Sequence, residues 1–251
     1  VAGHEMNSCR TEASAATALP LDVGSFEVAP DGKGLLVSLD VYPDCADLAC
    51  TVDRAAAKAK EKATGRVYKE LLFRHWDEWE DGLRSHVFAV SLASPAEARD
   101  VMKGLDVDCP TKPFGGDDDY ALTPDGKGVV FSAKDVGRAA AWSTNFDLFL
   151  APLDGSAAPK KLTTNEAWDA GPVFSPDGKW LAYRAMRTPG YEADRWRIML
   201  RAWPGGAEKE VAAGWDRSAH GLTWSADGKT LYVTADNLGH TGLFAIDVAS
   251  G

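Results

Sequence analysis

The chain has 251 residues, 45% of them hydrophobic, with a net charge of −10 and an isoelectric point near 5.0. That size suits one large domain or two smaller ones. The acidic balance argues against nucleic acid and anionic membrane surfaces as partners, because both reward a basic footprint, and no run approaches the roughly 18 apolar residues of a membrane span.

Residues 1–23 are polar and rich in Ala, Ser and Thr, without a basic region followed by an apolar stretch. They read as a loosely held leader, from which any signal peptide has already been removed or in which none existed. Residues 24–251 are organised by four copies of one motif: APDGK at 29–33, TPDGK at 123–127, SPDGK at 175–179 and SADGK at 225–229. Each precedes an apolar run, respectively GLLVSL, GVVFSA, WLAYRA and TLYVTA. Pro presets φ for a tight turn, Asp bonds its own backbone and Gly supplies φ > 0, so the motif predicts a hairpin turn between two strands. Asp31, Asp125, Asp177 and Asp227 stand 94, 52 and 50 residues apart. A period of roughly 40–50 residues suits a four-stranded propeller blade. The first interval holds two blades, or one blade carrying an insertion.

The expected fold is therefore all-β: a β-propeller with about four four-stranded blades, near 24–103, 115–163, 168–213 and 216–251. In the first blade, TVDRAAAKAKEKA (51–63) predicts an exposed helix, with Thr51 or Asp53 as cap and Gly65 as stop. Strands are expected to resume at 66–73, 85–92 and 98–102. In the later blades the third strands, within 145–155, 195–206 and 242–251, alternate polar and apolar residues, as half-buried antiparallel strands do. Trp168 and Trp215 precede the inner strands of the third and fourth blades and are expected to pack between neighbouring blades. The fourth blade lacks an outermost strand. Because that leaves an open edge, the chain is expected to be part of a longer polypeptide or of an assembly.

Four cysteines stand at 9, 45, 50 and 109. Cys45 and Cys50 could close a small disulfide loop in an oxidising compartment, which would place the protein outside the cytosol; a pair of free thiols is the alternative. No second Cys/His pair stands at zinc-ligand spacing, and GGDDDY (115–120) lacks the spacing of a calcium loop. No metal or cofactor is expected.

The most individual stretch is LLFRHWDEWEDGLRSHVFAVSL (71–92). With its RHWD-x-W-x-DG run (Arg74 to Gly82) and the surrounding SPDGK blades, the chain resembles, from about Phe26 onward, the N-terminal propeller of prolyl oligopeptidase-family serine peptidases, in particular the dipeptidyl-peptidase V and acylaminoacyl-peptidase branches. The runs at 112–127, 183–200 and 215–235 carry the same resemblance. It implies a ring of about seven blades over a C-terminal α/β-hydrolase domain with a Ser-Asp-His triad, acting on small peptides in the periplasm or after secretion. The 251 residues hold no G-x-S-x-G nucleophile elbow, so the triad is expected outside this chain and the chain alone is expected to be inactive.

The candidate substrate-binding residues are Arg74, Trp76, Asp77, Glu78, Trp79 and Glu80. Carboxylates interleaved with Trp side chains can hold a free α-ammonium through charge-assisted bonds and cation–π contact. A solvated hairpin with two structural Trp residues accounts for the same sequence. His75 and His86, with no nucleophile elbow in the sequence, read as packed or surface side chains. The expected partners are a small peptide and the chain's own hydrolase domain, with self-association left open. The rival is a non-enzymatic TolB-like periplasmic propeller that binds proteins, since such propellers share the DGK motif.

Overall fold

The structure, a computed structural model, describes residues 13–69 and 71–251. Four antiparallel sheets follow one another along the chain. The first joins β1 (Phe26–Val28), β2 (Gly34–Val41), β5 (Arg84–Ser91) and β6 (Ala98–Asp100). Helix α1 (Leu48–Lys58) and a small hairpin, β3 (Arg74–His75) with β4 (Glu78–Trp79), are inserted between β2 and β5. The second sheet comprises β7 (Tyr120–Leu122), β8 (Gly128–Ala133), β9 (Asp147–Pro152) and β10 (Lys160–Lys161). The third comprises β11 (Asp169–Phe174), β12 (Trp180–Ala185), β13 (Arg197–Ala202) and β14 (Glu208–Val211). The fourth has three strands, β15 (Leu222–Trp224), β16 (Thr230–Asn237) and β17 (His240–Asp247). Each sheet is a propeller blade with its first strand innermost, the all-β architecture that the repeat predicts.

The DGK turns explain the regularity. In the last three copies a Thr or Ser hydroxyl donates to the motif aspartate: Thr123 to Asp125 at 2.6 Å, Ser175 to Asp177 and Ser225 to Asp227 at 2.7 Å. In all four copies the same aspartate accepts the lysine backbone N–H, at 2.9–3.1 Å. The glycines sit at φ 67–68°, where only a residue without Cβ is unstrained. A Cβ on Gly178 would lie 2.8 Å from Cβ of Pro124, so the third turn rests against the second.

Blades pack face to face, and this sets the residue pattern of the second strands. On β8, Val129, Phe131 and Ala133 pack toward the first blade and Val130 toward the third; the whole strand is buried, including Ser132, whose hydroxyl donates to the Asp169 carbonyl at 2.8 Å. On β12, Leu181, Tyr183 and Ala185 face the second blade and Ala182 the fourth. On β16 only Leu231 and Val233 meet a neighbour, while Tyr232 between them is exposed. The aromatic expectation also holds: Trp168 stacks on Phe146 at 4.1 Å across the second and third blades, and Trp215 packs edge-on to Phe244 at 5.1 Å.

Three local readings change. The helix begins at Leu48, and its cap is Asp47, which accepts the Cys50 N–H at 2.8 Å; Thr51 lies inside and is buried. A Cys45–Cys50 disulfide ties the cap to the first turn. No strand forms over 66–73 among the described residues; Tyr68 and Phe73 instead pile onto Trp79, at centroid distances of 6.0 and 6.4 Å. Residues 18–21, which read as loose leader, pack on the first blade: Ala18 N–H donates to the Pro95 carbonyl at 2.8 Å, and Leu19 and Leu21 join Val37, Leu39 and Phe88.

Candidate functional site

Because the strands of each blade run antiparallel in sequence order, their connections alternate between two ends. The DGK turns occupy one end. The other carries the connections from second to third strand (42–83, 134–146, 186–196 and 238–239) and the linkers between blades. Loops of neighbouring blades touch at this end: Gly190 N–H donates to Thr144 Oγ1 at 2.8 Å, and Arg184 reaches Asp118 at 3.2 Å.

All six sequence candidates lie here, on the inserted hairpin. Its register pairs Arg74 with Trp79 and His75 with Glu78, leaving Trp76 and Asp77 as the two-residue turn. Trp76 has φ 50°, costly for a bulky side chain. Its ring leans on Phe114 at 5.2 Å. Among the described residues, Asp77 and Glu78 have no ion-pair or side-chain hydrogen-bond partner. The other three candidates are engaged internally. The Arg66 and Arg74 guanidinium groups lie 5.1 and 5.4 Å from the Trp79 ring centroid. Glu80 pairs with Arg84, which also reaches Asp106 at 2.8 Å and Asp108 at 3.7 Å. Burial opposes the charge on Arg84, but Asp108, Glu80 and Asp106 outweigh it and raise its pKa. The hairpin thus has a braced base and an open tip of one Trp and two carboxylates.

The tip has company that no local motif announces. Each of the four loops between second and third strands presents at least one large exposed apolar side chain, among them Trp76 (67% exposed), Trp142 (70%), Tyr191 (54%) and Leu238 (90%). Leu238 shares with Trp76 a left-handed backbone, at φ 50°. The signal in the sequence was an apolar residue in a polar loop, which acquires meaning only once topology gathers four of them.

This end also concentrates unsatisfied buried polar atoms: His86 Nε2, Trp168 Nε1, Asp169 Oδ2 and Arg197 Nε. His86 is fully buried with Nδ1 2.9 Å from Asp100. Asp169 accepts from Asn165 at 2.8 Å, yet burial, reinforced by Asp147 and Glu208, pushes its carboxyl up to about 7. The GGDDDY run is structural: Asp119 is buried and accepts from the Thr111 N–H and hydroxyl at 2.8 and 2.9 Å. Among the described residues no group of three or more His, Cys, Asp or Glu is arranged to hold a metal ion.

Solved structures share this architecture. An acylaminoacyl peptidase in complex with a chloromethyl ketone superposes over 92% of this chain and 32% of its own, with a TM-score of 0.57 at 13% identity. A TolB-type protein from Agrobacterium tumefaciens matches 90% of this chain and 62% of its own, with a TM-score of 0.54 at 16% identity. At such identities the likeness is one of fold: a propeller of the kind that peptidases carry. No family model matches the chain. Sequence relatives narrow the class. Dipeptidyl-peptidase 5 of Porphyromonas gingivalis is 29% identical over 241 residues, 91% of this chain and 33% of the relative. Dipeptidyl-peptidase 5 of Trichophyton schoenleinii is 36% identical over 210 residues, 76% of this chain and 29% of the relative. The chain is a propeller-type domain similar in sequence to part of the dipeptidyl-peptidase 5 proteins, and it spans about a third of the length of those relatives.

Proposed function

We propose that this chain is the propeller cap of a serine exopeptidase of the prolyl oligopeptidase family, and that its loop-bearing end faces the catalytic domain. In this reading the Ser-Asp-His triad belongs to an α/β-hydrolase domain elsewhere in the polypeptide, the 251 residues alone are inactive, and the cap restricts access to small peptides. The observation that carries the proposal is the 29–36% identity to dipeptidyl-peptidase 5 proteins, over 91% of this chain in one relative and 76% in another. The Cys45–Cys50 disulfide supports a periplasmic or secreted location, because such bonds persist in oxidising compartments.

Within the cap, Asp77 and Glu78 are the residues suited to hold a peptide's α-ammonium, with Trp76 as its aromatic wall. Two open carboxylates beside an exposed indole offer both charge-assisted hydrogen bonds and cation–π attraction. Arg74, Trp79 and Glu80 serve by bracing that tip. The test is steady-state kinetics of the full-length protein on dipeptidyl chromogenic substrates with free and N-acetylated amino termini. The free form is expected to be preferred, and Asp77→Asn with Glu78→Gln to raise its KM about tenfold or more, in line with losing charged hydrogen bonds worth roughly 1.5–3 kcal/mol each. Equal turnover of acetylated and free substrates would remove the ammonium role. TolB-type binding remains the weaker reading, since its support is fold likeness at 16% identity.

A further inference from the structure

The first-blade insertion and the 134–146 loop of the second blade leave a groove between them. It measures about 330 Å³ and is lined by Tyr68, Lys69, Leu71, Phe73, Arg138 and Trp142. That is within the size range of ligand sites, roughly 300–1,000 Å³. Three aromatic rings and a leucine share its lining with two cations, so that polar and apolar surface are present in similar measure. Elsewhere in the insertion Arg54 and Lys58 pair with carboxylates, and Arg66 and Arg74 lie on the Trp79 ring. Among the described residues neither Lys69 nor Arg138 has an ion-pair partner.

A groove that offers aromatic faces beside two cations is complementary to an apolar side chain that carries a carboxylate. The hairpin tip, a few residues along the same insertion, carries the opposite sign in Asp77 and Glu78. Phe73 and Trp76 are three residues apart, so their backbones lie within about 10 Å of each other. An extended peptide covers that distance in about three residues. We infer that the groove receives the C-terminal residue of a short peptide, with its apolar side chain against Trp142 and Phe73 and its α-carboxylate on Arg138 and Lys69. This rests on the exopeptidase reading and adds to it a substrate class: zwitterionic peptides of about three or four residues with an apolar C-terminus.

The test uses the full-length protein and two peptides, Ala-Ala-Phe and its C-terminal amide, followed by release of the N-terminal dipeptide. The free acid is expected to have a KM about tenfold below that of the amide. Arg138→Glu, at an exposed position in a surface turn, is expected to abolish that difference with no change in melting temperature. Trp142→Ala is expected to weaken Ala-Ala-Phe more than Ala-Ala-Ala. Equal KM values for acid and amide in the unaltered protein would overturn the groove assignment and leave the exopeptidase reading standing. Turnover of neither peptide would overturn both.

Discussion

The two ends of the blades are built on different rules. At the turn end, one five-residue motif closes every blade: its carboxylate accepts the lysine N–H in all four copies, and a hydroxyl donates to it in the last three. At the loop end no two connections are alike in length, buried polar atoms lack partners, and two bulky residues occupy backbone conformations that glycine would adopt freely. Within the turns the motif's polar groups are satisfied locally, while four of the five unpartnered buried polar atoms among the described residues lie at the loop end and one, Arg201 Nε, at the turn end. The loop end keeps apolar surface, charge and strain available for something else, which is how a surface with a partner differs from one that only terminates strands.

The sharpest way to test that contrast is through Asp169, at the start of β11. Its folded pKa of about 7 lies above its ordinary 3.8, so the native state holds a proton that the unfolded chain releases. Its contribution is therefore fully present below pH 4 and is lost as pH rises through 7. A shift of about three units corresponds to as much as about 4 kcal/mol. Denaturant melts at pH 4.5 and 8 are expected to show Asp169→Asn flattening this dependence and gaining stability at pH 8. An unchanged slope would mean that the carboxylate is solvated in the native state.

At the turn end the expected change has the opposite sign. Gly178→Ala puts a Cβ within 2.8 Å of Pro124 at φ 68° and should lower stability by about 2 kcal/mol at any pH. A neutral result would mean that the turns do not rest on each other. The smallest effect is expected at Leu238, where the Leu238–Gly239 turn has φ 50° and 85°. Asn-Gly is the preferred pair in such a turn, so Leu238→Asn should raise the midpoint of unfolding by about 0.5–1 kcal/mol equivalent. A loss of stability would show that Leu238 is not strained.

These ends also differ in how much of them could be read from sequence. The turns repeat, and a repeat is legible because each copy supports the others; Asp125, Asp177 and Asp227 each do what Asp31 announced. The apolar runs after them were equally plain, since a strand buried on both faces, such as β8, is apolar at nearly every position. The hairpin was found because RHWD-x-W is individual, but which of its side chains are open was not legible. Glu80 and Asp77 look alike in sequence, and only the arrival of Arg84 from β5 separates them. Tyr68 and Phe73 alternate as strand residues do, yet a stack on Trp79 replaces strand pairing. Trp142, Tyr191 and Leu238 showed only as apolar residues in polar loops, because what they share is an end of the fold reached from segments more than 20 residues apart.

The contact between Gly178 and Pro124 makes the array a mechanical series. Each blade holds mainly its immediate neighbours, so its stability is close to a sum of blade terms and nearest-neighbour coupling terms. A fault in one coupling would not soften the whole arc evenly. It would divide the arc, and heating would then melt the first two blades and the last two as separate cooperative units. In this array cooperativity resides in the joints between blades, and those joints pass through the plainest residues in the chain, a proline and a glycine.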